Sequence, residues 1–210
     1  MKKHILFLLF LPLFGTSLLA QNSEDTLIRA VFDKYRSDLL NDRGTEAVKE
    51  VDSKTIQYYS DILELTISAD SSKVETLSIM DKMSVLIMRL KISKEELLTF
   101  SGKDLFIYSV DHGMVGKSGI AKNSIGQIIV NDNFASAPLG VKGAPTEVRF
   151  EFYKESGSWK INLTSIFPLA ELVFEKLIKD SGKSENELLI PIIEAATNKR
   201  VSREVWQPLK

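Results

Sequence analysis

The stretch VRFEFYKESGSWKINL, residues 148–163, determines the fold class more than any other part of this chain. Apolar and polar residues alternate in both of its halves, and this period of two is typical of β-strands that are covered on one face only. The apolar positions are Val148, Phe150, Phe152, Trp159, Ile161 and Leu163. The residues between the halves, 155–158 (ESGS), favour a turn. The stretch therefore predicts a β-hairpin. Because an isolated hairpin is only marginally stable, further strands and helices must cover its apolar face.

The chain before this hairpin changes character near Gly113. Residues 113–145 contain glycines, prolines and the β-branched run Ile128-Ile129-Val130, which indicates strands and turns. Earlier in the chain, apolar residues recur every three or four positions, which predicts amphipathic helices. These helical segments are residues 24–40, 54–68 and 74–92. Ser23 is the expected N-cap of the first, and Asp52 or Ser53 that of the second. For residues 105–110, helix and strand remain open alternatives.

The chain after the hairpin is again helical. Pro168 begins a helix over residues 169–179 that Gly182 ends. Ser184 and Glu187 have the spacing of a capping box, and the helix that follows extends to about residue 199. Helices first, an antiparallel sheet second and helices at the end predict the α+β class.

The first twenty residues predict export. Lys2 and Lys3 precede the apolar run ILFLLFLPLF, residues 5–14, and a small residue follows at Ala20. This order is typical of a secretory signal peptide. The alternative is a membrane anchor, but ten residues rise only about 15 Å as a helix, against a hydrocarbon core of about 30 Å. We therefore expect cleavage near Ala20, a bacterial source, and a mature protein in the periplasm or outside the cell.

Composition limits the possible functions. The chain has no cysteine, which excludes disulfides, thiol nucleophiles and thiolate metal ligands. Its formal charge of −1 becomes −3 when Lys2 and Lys3 are removed, so no basic face for nucleic acid is expected. No apolar run after the signal peptide reaches 18 residues, and we expect no membrane-spanning segment.

Two parts of the chain resemble the NTF2-like superfamily, in which a curved sheet wraps around long helices as a cone. The first is the opening helical region, in which Val31, Phe32, Tyr35 and Leu39 precede DSKT (residues 52–55) and Tyr58-Tyr59. The second comprises VRFEFYK (148–154) and GSWKINL (157–163), which are similar to the family's last two strands. The resemblance covers residues 25–167. It implies an NTF2-like α+β domain over residues 21–167, to which residues 168–210 add a helical extension that packs on the same domain.

The resemblance implies a pocket between sheet and helices. The candidate lining residues are Tyr35, Tyr59, Met88, Phe150, Phe152 and Trp159. No cofactor and no metal site is expected, since His112 is the only histidine left after signal removal. We expect a non-catalytic binding protein for an apolar small molecule or a partner chain, with a homodimer through helices of residues 54–92 as a further possibility.

The alternative is an enzyme of the isomerase or hydratase type. In NTF2-like enzymes such as ketosteroid isomerase, a buried carboxylate acts as base opposite hydroxyl or carboxylic-acid donors. The residue types for such a site are present as Tyr35, Tyr58, Tyr59, Tyr108, Asp61 and Asp111. No spacing among them selects a catalytic set, so no catalytic residue is assigned.

Overall fold

The structure is a computed structural model, and it describes residues 16–115 and 117–209. Eight helices precede the sheet in these residues: α1 Thr16–Leu40, α2 Gly44–Ala47, α3 Ser53–Ser68, α4 Ser71–Glu75, α5 Ile79–Lys91, α6 Lys94–Leu97, α7 Gly102–Asp111 and α8 Lys117–Ile120. The strands are β1 Asn123–Ile125, β2 Ile129–Asn131, β3 Phe134–Val141, β4 Ala144–Glu155 and β5 Ser158–Asn162. The 3₁₀ helix Leu163–Ile166, α9 Phe167–Ser181, α10 Glu185–Thr197 and the 3₁₀ helix Arg203–Trp206 follow. The α+β class is confirmed.

The predicted hairpin is strands β4 and β5. They pair antiparallel, with Phe152 opposite Ile161. Ser156 and Gly157 connect them with φ angles of 48° and 82°. Positive φ at both central residues is the property of the type I′ turn, whose twist matches that of the flanking strands. The alternating pattern and the turn residues therefore identified this element correctly.

The sheet is an antiparallel, curled half-barrel. Its strand order is β1-β3-β4-β5, and β2 also pairs with β3. The register of β3 against β4 shifts between Pro138 and Gly140, an irregularity of the kind that bends strands. The curl allows one face of the sheet to surround an apolar core.

Helix α1 covers that face of the sheet. Its buried residues Ile28, Phe32 and Tyr35 belong to the same apolar cluster as Phe150 and Ile161. The Phe32 and Phe150 rings meet edge to face, with centroids 5.4 Å apart. Aromatic pairs in this arrangement stabilise a core beyond the area that they bury.

Main-chain hydrogen bonds attach α3 to the sheet edge. The N–H of Asp52 donates to the carbonyl oxygen of Ile161 at 3.0 Å, and the N–H of Ile161 donates to that of Glu50 at 2.8 Å. Val51 thereby forms a parallel bridge with Ile161. The Asp52 carboxylate accepts from the N–H of Thr55 at 2.8 Å, so Asp52, and not the alternative Ser53, is the N-cap of this helix. The sheet edge thus fixes where α3 begins and where its tyrosines point.

Two further apolar clusters lie among the helices. One joins α4 and α5 to the C-terminal helix α10 through Val74, Val85, Leu189 and their neighbours. The other joins α3, α5 and α7 through Ile62, Met88, Leu105 and their neighbours. Residues after Pro168 therefore pack on helices from the first half of the chain.

Several predicted boundaries are wrong. Residues 74–92 form two helices and not one, because Ser78 caps a new helix by accepting from the N–H of Asp81 at 3.2 Å. Residues 105–110, for which helix and strand were both open, are helical within α7, which a capping box of Ser101 and Asp104 begins. Leu163 begins a 3₁₀ helix instead of ending a strand.

Helix α1 begins at Thr16, upstream of the predicted N-cap Ser23. The segment TSLLAQN, residues 16–22, contains neither glycine nor proline, so nothing in it interrupts a helix. Residues 1–15, which hold most of the predicted signal peptide, lie outside the described residues, and export stays a prediction. Among the described helices, none combines the length and the apolar character needed to cross a membrane.

Candidate functional site

A cavity of about 380 Å³ lies where the sheet cluster meets the two helical clusters. Helices α1, α3, α5, α7, α8 and α9, strands β1 and β4 and the 3₁₀ helix before α9 all contribute to its wall. The described lining residues are Tyr35, Leu39, Tyr58, Tyr59, Ile62, Met80, Ser84, Ile87, Met88, Ser109, Met114, Val115, Ile120, Asn123, Phe150, Leu163, Ile166 and Phe167. Twelve of these eighteen are aliphatic residues, methionine or phenylalanine, so the wall is mainly apolar.

Two tyrosine hydroxyls face this cavity without a partner. Tyr35 and Tyr59 make no hydrogen bond to another described residue. The buried side-chain atoms that lack a partner belong to Asp52 and Asn186, so the hydroxyls of Tyr35 and Tyr59 are not sealed in the core. Both residues line the cavity, and we infer that their hydroxyls are accessible from it. They provide hydrogen-bonding groups that the described part of the chain does not use.

Both of these tyrosines keep their protons at neutral pH. Burial raises the pKa of Tyr59 to about 12. Burial, with the nearby Tyr59 as a smaller cause, raises the pKa of Tyr35 well above its ordinary value. A neutral phenol is a good hydrogen-bond donor, and a low-dielectric site disfavours its anion. The site therefore offers O–H donors and no phenolate.

Tyr58 lies at the side of the cavity formed by α5 and the start of α9. Its ring meets that of Phe167 edge to face, with centroids 4.8 Å apart. Burial raises the pKa of Tyr58, and its hydroxyl interacts with the Ser84 side chain and with Asp81. Unlike Tyr35 and Tyr59, this hydroxyl is engaged by the protein.

Four of the six predicted pocket residues come together in the cavity: Tyr35, Tyr59, Met88 and Phe150. Phe152 is fully buried two residues further along the same strand, but it does not line the cavity. Trp159 lies at a different place, in a surface groove that it shares with Leu27 and Lys34. Its indole N–H donates to the Glu24 carboxylate. The six predicted pocket residues therefore lie at two places in the structure and do not form one pocket.

Sequence reasoning identified only one of the residues with which α5 lines the cavity, Met88. It missed Met80, Ser84 and Ile87, which line the cavity from the same helix. Their spacing of three and four residues places them on one helix face, and this was the signal that could have identified them.

The candidate groups of the enzyme alternative lie elsewhere. Asp61 accepts from the side-chain amide of Gln57 at 2.8 Å on an exposed helix face. Asp111 accepts from the main-chain N–H of Gly44 at 2.5 Å. Tyr108 stacks on exposed His112 with ring centroids 3.8 Å apart. No aspartate or glutamate is among the described residues that line the cavity, and the described residues hold no cluster of potential metal ligands.

No protein-family model, curated protein or solved structure matches this chain. The resemblance of residues 25–167 to the NTF2-like superfamily therefore stays a prediction. The interpretation of function rests on the geometry of the cavity.

Proposed function

We propose that this chain is an exported, non-catalytic binding protein with an NTF2-like cone, and that its cavity binds an apolar small molecule. The observation that carries the proposal is the cavity of about 380 Å³ with unpartnered hydroxyls at Tyr35 and Tyr59. Small-molecule sites typically measure about 300–1,000 Å³, with apolar walls and a few polar groups that fix orientation. The cavity agrees with this description in size and in lining.

A small molecule fits the site better than a partner chain does. The walls come from six helices, two strands and a 3₁₀ helix, so they enclose a ligand on several sides. A bound chain segment would need an open groove along which its main chain could continue. The position between the sheet and the helices therefore favours a compact ligand.

The geometry does not favour the enzyme alternative. An isomerase or hydratase of the expected type needs a carboxylate base opposite a tyrosine, within reach of a bound substrate. Tyrosines line the cavity, but no described carboxylate does. We therefore do not propose catalysis.

Binding can be tested with N-phenyl-1-naphthylamine, an uncharged probe whose fluorescence increases in apolar sites. The purified full chain should bind the probe saturably at one site. Ser84→Phe should weaken binding at least tenfold, because the added ring points from α5 into the cavity. Ser72→Phe is the control, since Ser72 is exposed on α4 and does not line the cavity. Equal binding by the two folded variants would contradict the proposal.

Export is tested separately. The full-length gene is expressed in a bacterial host, and the protein in the periplasmic fraction is weighed by mass spectrometry. The expected mass is that of a chain beginning at Gln21. A cytoplasmic protein that keeps Met1 to Ala20 would contradict export and leave the binding proposal unaffected.

A further inference from the structure

The polar groups of the cavity belong to six residues: Tyr35, Tyr58, Tyr59, Ser84, Ser109 and Asn123. Three of their hydroxyls are already engaged. Ser109 donates to the carbonyl oxygen of Leu105 at 2.7 Å, and the hydroxyls of Tyr58 and Ser84 interact with each other. Besides the side-chain amide of Asn123, which can both donate and accept, the hydroxyls of Tyr35 and Tyr59 remain available to a ligand. Because a phenol is a stronger donor than acceptor, they favour a ligand group that accepts.

The cavity wall carries no formal charge among the described residues. Of the lining residues that the structure describes, the tyrosines are the only titratable ones, and none is an acid, a lysine, an arginine or a histidine. A charged ligand would therefore find no counter-ion there.

Three charged residues of α1 and α5, two of the helices that line the cavity, already have partners elsewhere in the protein. Asp38, on the same helix as Tyr35, pairs with Lys34 at 2.9 Å and with Arg43 at 2.7 Å. Lys82 on α5 pairs with glutamates of α4 and α10. Arg89, also on α5, donates to four main-chain carbonyl oxygens. None of these groups is free to neutralise an ion in the cavity.

We propose that the cavity selects uncharged ligands that carry a hydrogen-bond acceptor, and that the hydroxyls of Tyr35 and Tyr59 hold this acceptor. The inference rests on the proposed binding function and deepens it.

Two effects act in opposite directions on a carboxylate in the cavity. Hydrogen bonds donated by the tyrosines favour the anion, and removal of the anion from water without a counter-ion disfavours it. The second effect dominates here, since the same surroundings raise the pKa of Tyr35 and Tyr59. A carboxylic acid would consequently bind only in its protonated form.

Three probes of similar shape distinguish the effect of ligand charge from the effect of a hydrogen-bond acceptor on the ligand. They are 2-acetylnaphthalene, naphthalene-2-carboxylate and 2-isopropenylnaphthalene, which present a neutral acceptor, an anion and a hydrocarbon on the same ring. Affinities for the full chain are measured by titration at pH 8. The ketone should bind at least tenfold more tightly than the carboxylate. An equally tight or tighter carboxylate would overturn the inference.

A second measurement needs no variant. If only the neutral acid binds, the affinity for naphthalene-2-carboxylate falls about tenfold for each pH unit above the pKa of this acid, which is about 4. The affinity for the ketone should not change over the same range. A carboxylate affinity that is constant from pH 5 to pH 8 would show that the anion itself binds, against the inference.

The role of the tyrosines is tested with the double variant Tyr35→Phe/Tyr59→Phe. The ratio of ketone affinity to hydrocarbon affinity should fall about fivefold or more, which corresponds to the loss of about one hydrogen bond. Tyr108→Phe is the control, because Tyr108 is outside the cavity, and its ratio should equal that of the wild type. Thermal unfolding verifies that both variants fold.

The results of these measurements test the inference and the proposed function separately. If the hydrocarbon binds and the double variant keeps the wild-type ratio, binding stands and the inference fails. If none of the three probes binds to the folded wild-type protein, both fail.

Discussion

The carboxylate of Glu171 accepts a hydrogen bond from the main-chain N–H of Met80 at 3.0 Å and so joins α9 to the first turn of α5. Met80 and Phe167 both line the cavity, one from each of these helices. The contact therefore holds two parts of the cavity wall together. It also satisfies one of the N–H groups that a helix leaves unpaired at its start.

Removing this acceptor should destabilise the protein. We expect Glu171→Ala to lower the free energy of unfolding by about 0.5–1 kcal/mol, as the loss of a capping acceptor does. The corresponding fall in Tm is about 1–4 °C for a chain of this size. Calorimetry measures both. Glu175→Ala, at an exposed position of the same helix, is the control and should leave Tm unchanged. Equal effects of the two substitutions would contradict a capping role for Glu171.

Substitutions of Phe150 and Phe152 form a matched pair that tests whether a probe binds in the cavity. Both are fully buried on β4, but only Phe150 lines the cavity. Replacing either with leucine should cost about 1–2 kcal/mol of stability, because each change removes packed core atoms. Only Phe150→Leu should change the affinity for N-phenyl-1-naphthylamine, by severalfold. If Phe152→Leu changed it to the same degree, the probe would not be bound at the cavity described.

The buried ammonium of Lys82 connects three helices. It lies 2.6 Å from a carboxylate oxygen of Glu185 on α10 and 3.3 Å from one of Glu75 on α4. Glu185→Gln should cost about 1–2 kcal/mol, less than the loss of a wholly buried pair, because Glu185 is partly solvated. The measurement is urea unfolding. Glu46→Gln, which removes an exposed ion pair with Lys49, is the control and should not shift the midpoint.

Asp52 gives a prediction for the pH dependence of stability. Burial raises its pKa above the ordinary value of 3.8, and one of its oxygens has no partner. The folded state therefore holds a proton on Asp52 at a pH where the unfolded state has lost it. Between the raised value and 3.8, this group makes the folded state more stable as the pH falls.

The variant Asp52→Asn cannot take up this proton. The stability of the wild type relative to Asp52→Asn should therefore increase as the pH is lowered through that window. Urea unfolding at several pH values measures the difference. Asp70→Asn, at the exposed N-cap of α4, serves as the control for replacing a capping aspartate. A difference that is constant with pH would contradict the prediction.

The elements that the sequence predicted well are those whose signals are local. The β4–β5 hairpin shows its period and its turn residues within 16 positions, and Ser184 with Glu187 forms the expected capping box. The break before Ser78 was missed because apolar spacing continues across it, and only the cap geometry distinguishes two helices from one. The helical state of residues 105–110 was undecided because short apolar runs are compatible with both states.

The candidate site was predictable only in part. Tyr35, Tyr59 and Phe150 could be predicted because they are aromatic residues on the apolar faces of α1, α3 and β4, and these faces must meet in the core. Whether Phe150 or Phe152 borders a cavity depends on how the three apolar clusters pack against each other. No local sequence pattern contains this information. Trp159 was misplaced for the same reason: it is buried, but at a different place between α1 and the hairpin turn.

The parallel bridge between Val51 and Ile161 has a consequence for synthesis on the ribosome. The nascent chain exposes all the residues of α3 long before residue 161 leaves the exit tunnel. Until then, the N–H of Asp52 has no strand to which it can donate, and α3 has no fixed position. The helical first half must therefore wait for the hairpin before its tyrosines can reach their final positions. We expect chains stalled before Ile161 to be readily cleaved by proteases within residues 50–68.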